Sequence, residues 1–199
     1  MVTRETQVAD YLRLLGVANA PDRAIERLVS LAEMLGVEGV SRGIVGPKER
    51  DHVLERHVLD SCALFPFINS SGPIVDVGTG GGLPGLALAC IREGDITLID
   101  AQDRRVAFLR TAIKRLGLSD VRVMHARAED AGRGELRESA ASVVARALAA
   151  PPVALELCLP IAALGGNLVL ATTARAVGGT ERRSGLADVA AKLGGTCES

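Results

Sequence analysis

Asp76, Gly78, Gly80, Gly82 and Asp100 are the residues whose types and spacing could do chemistry in this chain. The first four belong to Pro73-Ile-Val-Asp-Val-Gly-Thr-Gly-Gly-Gly-Leu-Pro-Gly85, which reads as a short strand, an acid at its end, a glycine loop and a helix start. Glycine alone tolerates positive φ and brings no Cβ, so such a loop can turn sharply and pass close to a ligand. Loops of this kind after the first strand of an α/β sheet bind nucleotides or nucleoside-like cofactors at the carboxyl edge of the strands. The dinucleotide pattern is also present as Gly80-x-Gly82-x-x-Gly85, but Gly78 and Thr79 separate it from the strand. Pro84 falls at the helix start and offers no N–H to a pyrophosphate, which relies on such groups. A cofactor without phosphates has no such need. S-adenosylmethionine fits, with Asp76 serving its cationic amino-acid end directly or through water. A dinucleotide loop and an unliganded structural turn are the alternatives.

Asp100 closes the next apolar run, Asp95-Ile-Thr-Leu-Ile-Asp100, where an acid is the expected partner of ribose hydroxyls. Its alternative role is to cap the following helix. Asp103 is the better cap for a helix over 104–116 that stops at Gly117, which leaves Asp100 for the ligand.

The elements that must position these residues alternate. Helices are expected at 5–15 and 22–36, with a third from Pro47 through Leu59 to Phe67. Then follow strand 74–77, helix 84–92, strand 95–100, helix 104–116 and strand 121–125, and a polar turn over His125–Asp130. Strand 142–145, helix 152–162 and strand 167–171 complete a parallel, doubly wound pattern with right-handed crossovers. The domain reading is an N-terminal helical extension over 1–70 and an α/β core over 71–199.

Composition agrees. The 199 residues are 48 % hydrophobic and 24 % charged, enough to fill one core and too apolar for disorder. Aromatics are confined to Tyr11, Phe65, Phe67 and Phe108, so the core is aliphatic. Cys62, Cys90, Cys158 and Cys197 are scattered without metal-ligand spacing, and no metal is expected; Cys62 and Cys90 fall in helical patterns as small core residues. No signal-peptide core or long apolar run is seen, which suggests a cytoplasmic protein. The net charge of −1 excludes a strongly basic nucleic-acid binder and leaves room for local patches. Arg42, Lys48, Arg50 and Arg56 precede the glycine loop and could border its mouth. Arg104, Arg105, Arg110, Lys114 and Arg115 share a helix whose buried stripe is Val106, Leu109, Ala112, Ile113 and Leu116, a pattern equally consistent with a solvated face.

Several segments together resemble the RsmG (GidB) family, class I methyltransferases that act on N7 of a guanine in 16S rRNA. They are Gly43-Ile-Val-Gly-Pro-Lys-Glu49, Arg56-His-Val-Leu-Asp-Ser61, the loop Asp76–Gly85, Asp100 with Arg104-Arg105-x-x-Phe108-Leu109, Arg127-Ala-Glu129 and Ala145-Arg-Ala147. The match runs over about residues 40 to 171. It implies a class I, S-adenosylmethionine-dependent methyltransferase with a Rossmann-like doubly wound sheet, acting on the small ribosomal subunit as a monomer. By position, Gly78 and Leu83, with Asp76 and Gly80, would line the cofactor site. Asp100, Ala101 and Gln102 would hold the ribose side, and Ala128 and Glu129 would flank the adenine. Arg146 would reach the active-site mouth, touching cofactor or substrate. Lys48, Arg56, His57 and Asp60 are the further substrate-side candidates, and no catalytic residue is implied. From the residues alone, Glu129 could equally cap a helix, Arg146 form a surface ion pair, and His57 and Asp60 a local pair one helical turn apart.

The chemistry suits so short a set of residues. Guanine N7 carries a free lone pair and no proton, so alignment and desolvation suffice without a general base. Enzymes that methylate exocyclic amines usually carry Asn/Asp-Pro-Pro-aromatic after the fourth strand, whereas Pro151-Pro152 here lies between Ala150 and Val153. RNA recognition would combine phosphate contacts with a base drawn out of its stack. Relatives carry Lys-Gly after the fifth strand, where this chain has Leu170-Ala-Thr-Thr-Ala-Arg175. A helix over 185–193 is expected next, and the terminal β-hairpin of the family is missing, which leaves the fifth strand an open edge. A shortened paralogue, a truncated product and a degenerate member all fit. The rival functions are a non-catalytic module that binds S-adenosylmethionine or the ribosome, and a small-molecule methyltransferase.

Overall fold

The computed structural model describes residues 3–17, 20–69, 71–172 and 180–196, the side chains of 180–184 apart. Cys197, residues 173–175 of the departing segment and the last three residues lie outside this set. Five parallel strands form one sheet in the order β3-β2-β1-β4-β5: β1 (Ile74–Val77), β2 (Ile96–Asp100), β3 (Val121–His125), β4 (Ala140–Arg146) and β5 (Ala162–Ala171). β1 and β2 are buried along their whole length, as near-continuous apolar runs must be when helices cover both faces.

One face carries α1 (Arg4–Leu14), α2 (Ala24–Met34), the short α3 (Asp60–Cys62), α4 (Gly85–Ile91) and α5 (Asp103–Leu116). Val8, Leu28 and Leu31 of the N-terminal helices share one apolar cluster with Leu86, Leu98 and Phe108. The other face, covered by α6 (Ala128–Arg133) and α7 (Pro151–Cys158), joins Val75, Val77, Ile99, Val143 and Cys158. A final helix, α8 (Thr180–Lys192), starts five residues before the expected 185–193 and stops one residue short of its end. Arg27 on α2 donates to the carbonyls of Leu116 and Gly117, both at 2.9 Å, and so caps the end of α5 that the left-handed Gly117 terminates. The stripe expected on α5 is buried except Ile113, which is partly exposed, and Phe108 joins it.

The sequence reading needs correction at several elements. The expected third helix is a succession of a 3₁₀ turn (Pro47–His52), a π-helical segment (Leu54–Leu59), α3 and a second 3₁₀ turn (Phe65–Phe67). A second π segment, Leu35–Gly39, extends α2. The polar turn over His125–Asp130 runs into α6, where Glu129 and Asp130 are first-turn acids that complement the helix dipole. β5 starts five residues before the expected strand because it runs straight through Gly165 and Gly166, with an irregular register opposite Ala140 and Ser142. Asp103 is the first residue of α5 and no cap; Gln102 occupies that position without a side-chain bond. Among the described residues no helix is long and apolar enough to cross a membrane, and no metal-ligand cluster is found.

Candidate functional site

Every residue expected at the cofactor lies at or just beyond the carboxyl ends of β1 to β4, and the crevice between β1 and β4 is the point where strand order reverses. Gly78, Gly80 and Gly82 all have positive φ (67°, 60° and 89°), so the backbone takes a path closed to other residues. A Cβ at Gly80 would meet nothing nearer than 3.9 Å, leaving open backbone beside it. At Gly78 it would collide with Leu148 from the β4–α7 loop, and Leu35 and Ile44 leave none of the room a Cβ at Gly81 would need.

Asp76 is wholly buried. Its Oδ2 accepts from the Thr79 hydroxyl at 2.6 Å and from the Gly85 amide at 2.7 Å, while Oδ1 has no partner. Burial raises the carboxyl to about 6, against the pull of these two bonds and of the Arg146 charge. Asp100 is also engaged within the protein. Oδ2 accepts from the Gly80 amide at 2.9 Å, Oδ1 from the Gln102 amide at 2.9 Å, and Arg105 stands 3.4 Å from Oδ2. The acid expected at the ribose therefore ties the tip of β2 to the glycine loop, and its weakest contact is Arg105. Ala101 is half-buried and its carbonyl faces His125 Nε2 at 3.1 Å; Gln102 is exposed and its Oε1 accepts from Arg104. Ala128 is half-buried and Glu129 exposed at the start of α6. Leu83, expected at the cofactor, is 8 % exposed and packs into the larger cluster.

On the opposite lip the structure brings together segments far apart in sequence. Arg146 Nη1 stands 3.2 Å from each of the His57 carbonyl, Asp60 Oδ2 and Ser61 Oγ, and Nη2 is 3.0 Å from His57 Nδ1. His57 and Asp60 therefore meet through Arg146, a half-buried hub whose ion-pair partner Asp60 remains exposed. Burial lowers the Arg146 pKa, while Asp60 and Asp76 work the other way. Glu49 lies 3.5 Å from Arg56 and 3.3 Å from His57 Nε2. Lys48 is exposed and forms no ion pair among the described residues. The two basic clusters also approach one another, since Arg104 sits beside Gly43.

Thr79, Glu49, Ser61, Gly85 and Leu148 were not foreseen as site residues. Glu49 and Ser61 fall inside segments that carry the family resemblance, and Thr79 and Gly85 inside the loop; Leu148 has no local signal. Cys62, Cys90 and Cys158 are buried core thiols, all pushed up by burial, Cys62 and Cys158 to about 12.

A parallel sheet of this order, with a glycine loop after its first strand and acids on its first two strands, defines a class I, Rossmann-like methyltransferase fold. The P. horikoshii TYW2 structure in complex with MeSAdo shares it, with a TM-score of 0.56 over 69 % of this chain and 52 % of that one, at 13 % identity. The chain belongs to the rRNA small subunit methyltransferase G family, whose profile matches residues 24–182. It is 42 % identical over 150 residues to the Kineococcus radiotolerans ribosomal RNA small subunit methyltransferase G, covering 74 % of this chain and 58 % of the relative. The Salinispora tropica protein of the same name is 38 % identical over 84 % of this chain and 70 % of its own. The chain spans only part of its relatives' length: in four methyltransferase G relatives, the Kineococcus radiotolerans protein among them, the aligned stretch covers between 50 % and 67 % of the relative.

Proposed function

We propose that this chain transfers the methyl group of S-adenosylmethionine to N7 of a guanine in the 16S rRNA of the small ribosomal subunit, in the cytoplasm. The observation that carries the reading is the meeting of Arg146 with the Arg56–Ser61 segment across the crevice from the glycine loop. Family membership supports the rRNA substrate.

The residues fit the cofactor. Asp76 Oδ1 is an orphaned buried acceptor of the kind a cationic amine or an ordered water satisfies. The loop at Gly80 leaves backbone open to a ligand, and Gly78 is packed under Leu148. Asp100 holds the loop in shape, and its ribose role requires Arg105 to yield its 3.4 Å contact. Ala101 and Gln102 extend that side, and Ala128 and Glu129 flank the far end. When bound, the cofactor supplies an electrophilic methyl group on a sulfonium. The chain's own work is to bind, orient and exclude water, because the N7 lone pair needs no base. Arg146, His57 and Asp60 stand on the substrate side, with Lys48 and Arg56 offering phosphate contacts at the rim.

Calorimetry with S-adenosylmethionine, followed by tritiated cofactor and small subunits lacking the modification, tests this. Label at guanine N7 is the expected result. Binding without transfer would favour a non-catalytic module, and label in metabolites alone would favour a small-molecule enzyme.

A further inference from the structure

Arginine cannot accept a hydrogen bond, so the 3.0 Å contact between Arg146 Nη2 and His57 Nδ1 requires a lone pair on Nδ1. A neutral His57 then carries its proton on Nε2. That nitrogen is buried, and its nearest carboxylate is Glu49 Oε2 at 3.3 Å, within ion-pair distance though off the line of a good hydrogen bond. The Ser61 hydroxyl donates to the His57 carbonyl at 2.6 Å, which fixes the backbone on which Arg146 also rests. Both nitrogen ends of the guanidinium are thus committed to residues 57–61.

A restrained arginine has a specific use beside a guanine target. The commonest arginine contact with guanine is bidentate, on O6 and N7 together. An N–H on N7 occupies the lone pair that must attack the methyl group. A guanidinium free to swing would bind the base in an unreactive way.

We propose that His57 and Glu49 are positioning residues that keep Arg146 off N7: the Glu49 charge favours the proton on Nε2, and Nδ1 holds the guanidinium against the helical segment. This rests on the methyl-transfer reading above. The arrangement predicts a split between binding and turnover. His57→Asn keeps an acceptor where Nδ1 stands, whereas His57→Gln offers its amide where Nε2 stands.

The first test is independent of activity. Nitrogen-15 NMR of the imidazoles in the full chain should show His57 protonated at Nε2, with an Nδ1 resonance that moves on Arg146→Met. An Nδ1–H tautomer, or an Nδ1 signal indifferent to Arg146→Met, overturns the proposal even in an active enzyme. The second uses unmodified small ribosomal subunits. His57→Gln should lower kcat about 10-fold, the loss of one charge-assisted hydrogen bond, without weakening subunit binding, and His57→Asn should retain most of the rate. In an Arg146→Met background His57→Gln should add nothing further. Equal losses in both His57 variants, or a parallel fall of affinity and kcat, overturn it. Should the wild-type chain transfer no methyl group, the functional reading fails, and the NMR result alone decides whether His57 restrains Arg146.

Discussion

The amide of Gly85 donates to the buried Asp76 Oδ2 at 2.7 Å, and the same glycine is pressed so closely that an added Cβ would stand 2.7 Å from that oxygen and collide with Leu98. The start of α4 is therefore set onto β1 by one bond and one missing side chain.

Gly85→Ala should cost about 1–3 kcal/mol, the usual penalty of overpacking a close-fitted interior. Urea unfolding reads it directly. A change within experimental error would show that α4 can shift away from Leu98 freely.

Asp76 makes stability depend on pH. Its folded pKa, about 6, lies above the ordinary 3.8, so the folded chain holds the proton more tightly than the unfolded chain does. The ionised form costs stability in full above that value, and the cost disappears as pH falls from about 6 towards 3.8. Relative to Asp76→Asn, the wild type should gain about 1 kcal/mol between pH ~7 and pH ~5 in urea unfolding. A difference that stays flat over this window removes the burial argument.

Thr79→Val deletes a hydroxyl that holds Asp76 down, so the carboxyl should titrate still higher. If Asp76 serves the cationic end of the cofactor, affinity falls as the carboxyl becomes protonated. Calorimetry across pH should then show the acid limb of binding displaced upward in the variant. An unmoved limb would take Asp76 out of the binding site.

Asp100→Ala releases the Gly80 amide from its tether at the tip of β2. Cofactor affinity should drop about 10-fold, as for other hydrogen bonds to charged groups, while far-UV circular dichroism stays unchanged. Unaltered affinity would mean that the loop keeps its shape without the brace.

Arg104 lies beside Gly43, next in sequence to the exposed Arg42, so the two basic clusters meet there. Charge reversal at Arg104 should weaken binding to small subunits and reduce the slope of log affinity against log salt by about 0.7–0.9 per lost phosphate contact. Cofactor affinity should stay the same. A steeper or unaltered slope would place the RNA elsewhere.

The sheet was legible because buried parallel strands announce themselves. Ile74–Val77 and Ile96–Asp100 are largely apolar runs with an acid at or next to the last residue, and their bounds were read to within a residue. What the acids bond to was not legible. Position along a strand places Asp100 at the carboxyl edge, but only the folded loop decides that the Gly80 amide reaches it first. Arg146 and His57 are 89 residues apart, and no local pattern encodes that contact. Glycines hid the early part of β5, since Gly165 and Gly166 interrupt the apolar pattern while the backbone runs on.

Leu35 and Ile44 leave Gly81 no room for a side chain. The π segment after α2, the bend at Ile44 and the glycine loop are therefore fitted to one another. A larger residue at Leu35 or Ile44 displaces the loop, and a smaller one leaves it unsupported. The shape of the ligand edge is thus set in part from off the sheet, by one residue of the π segment that extends α2 and one of the bend that follows it.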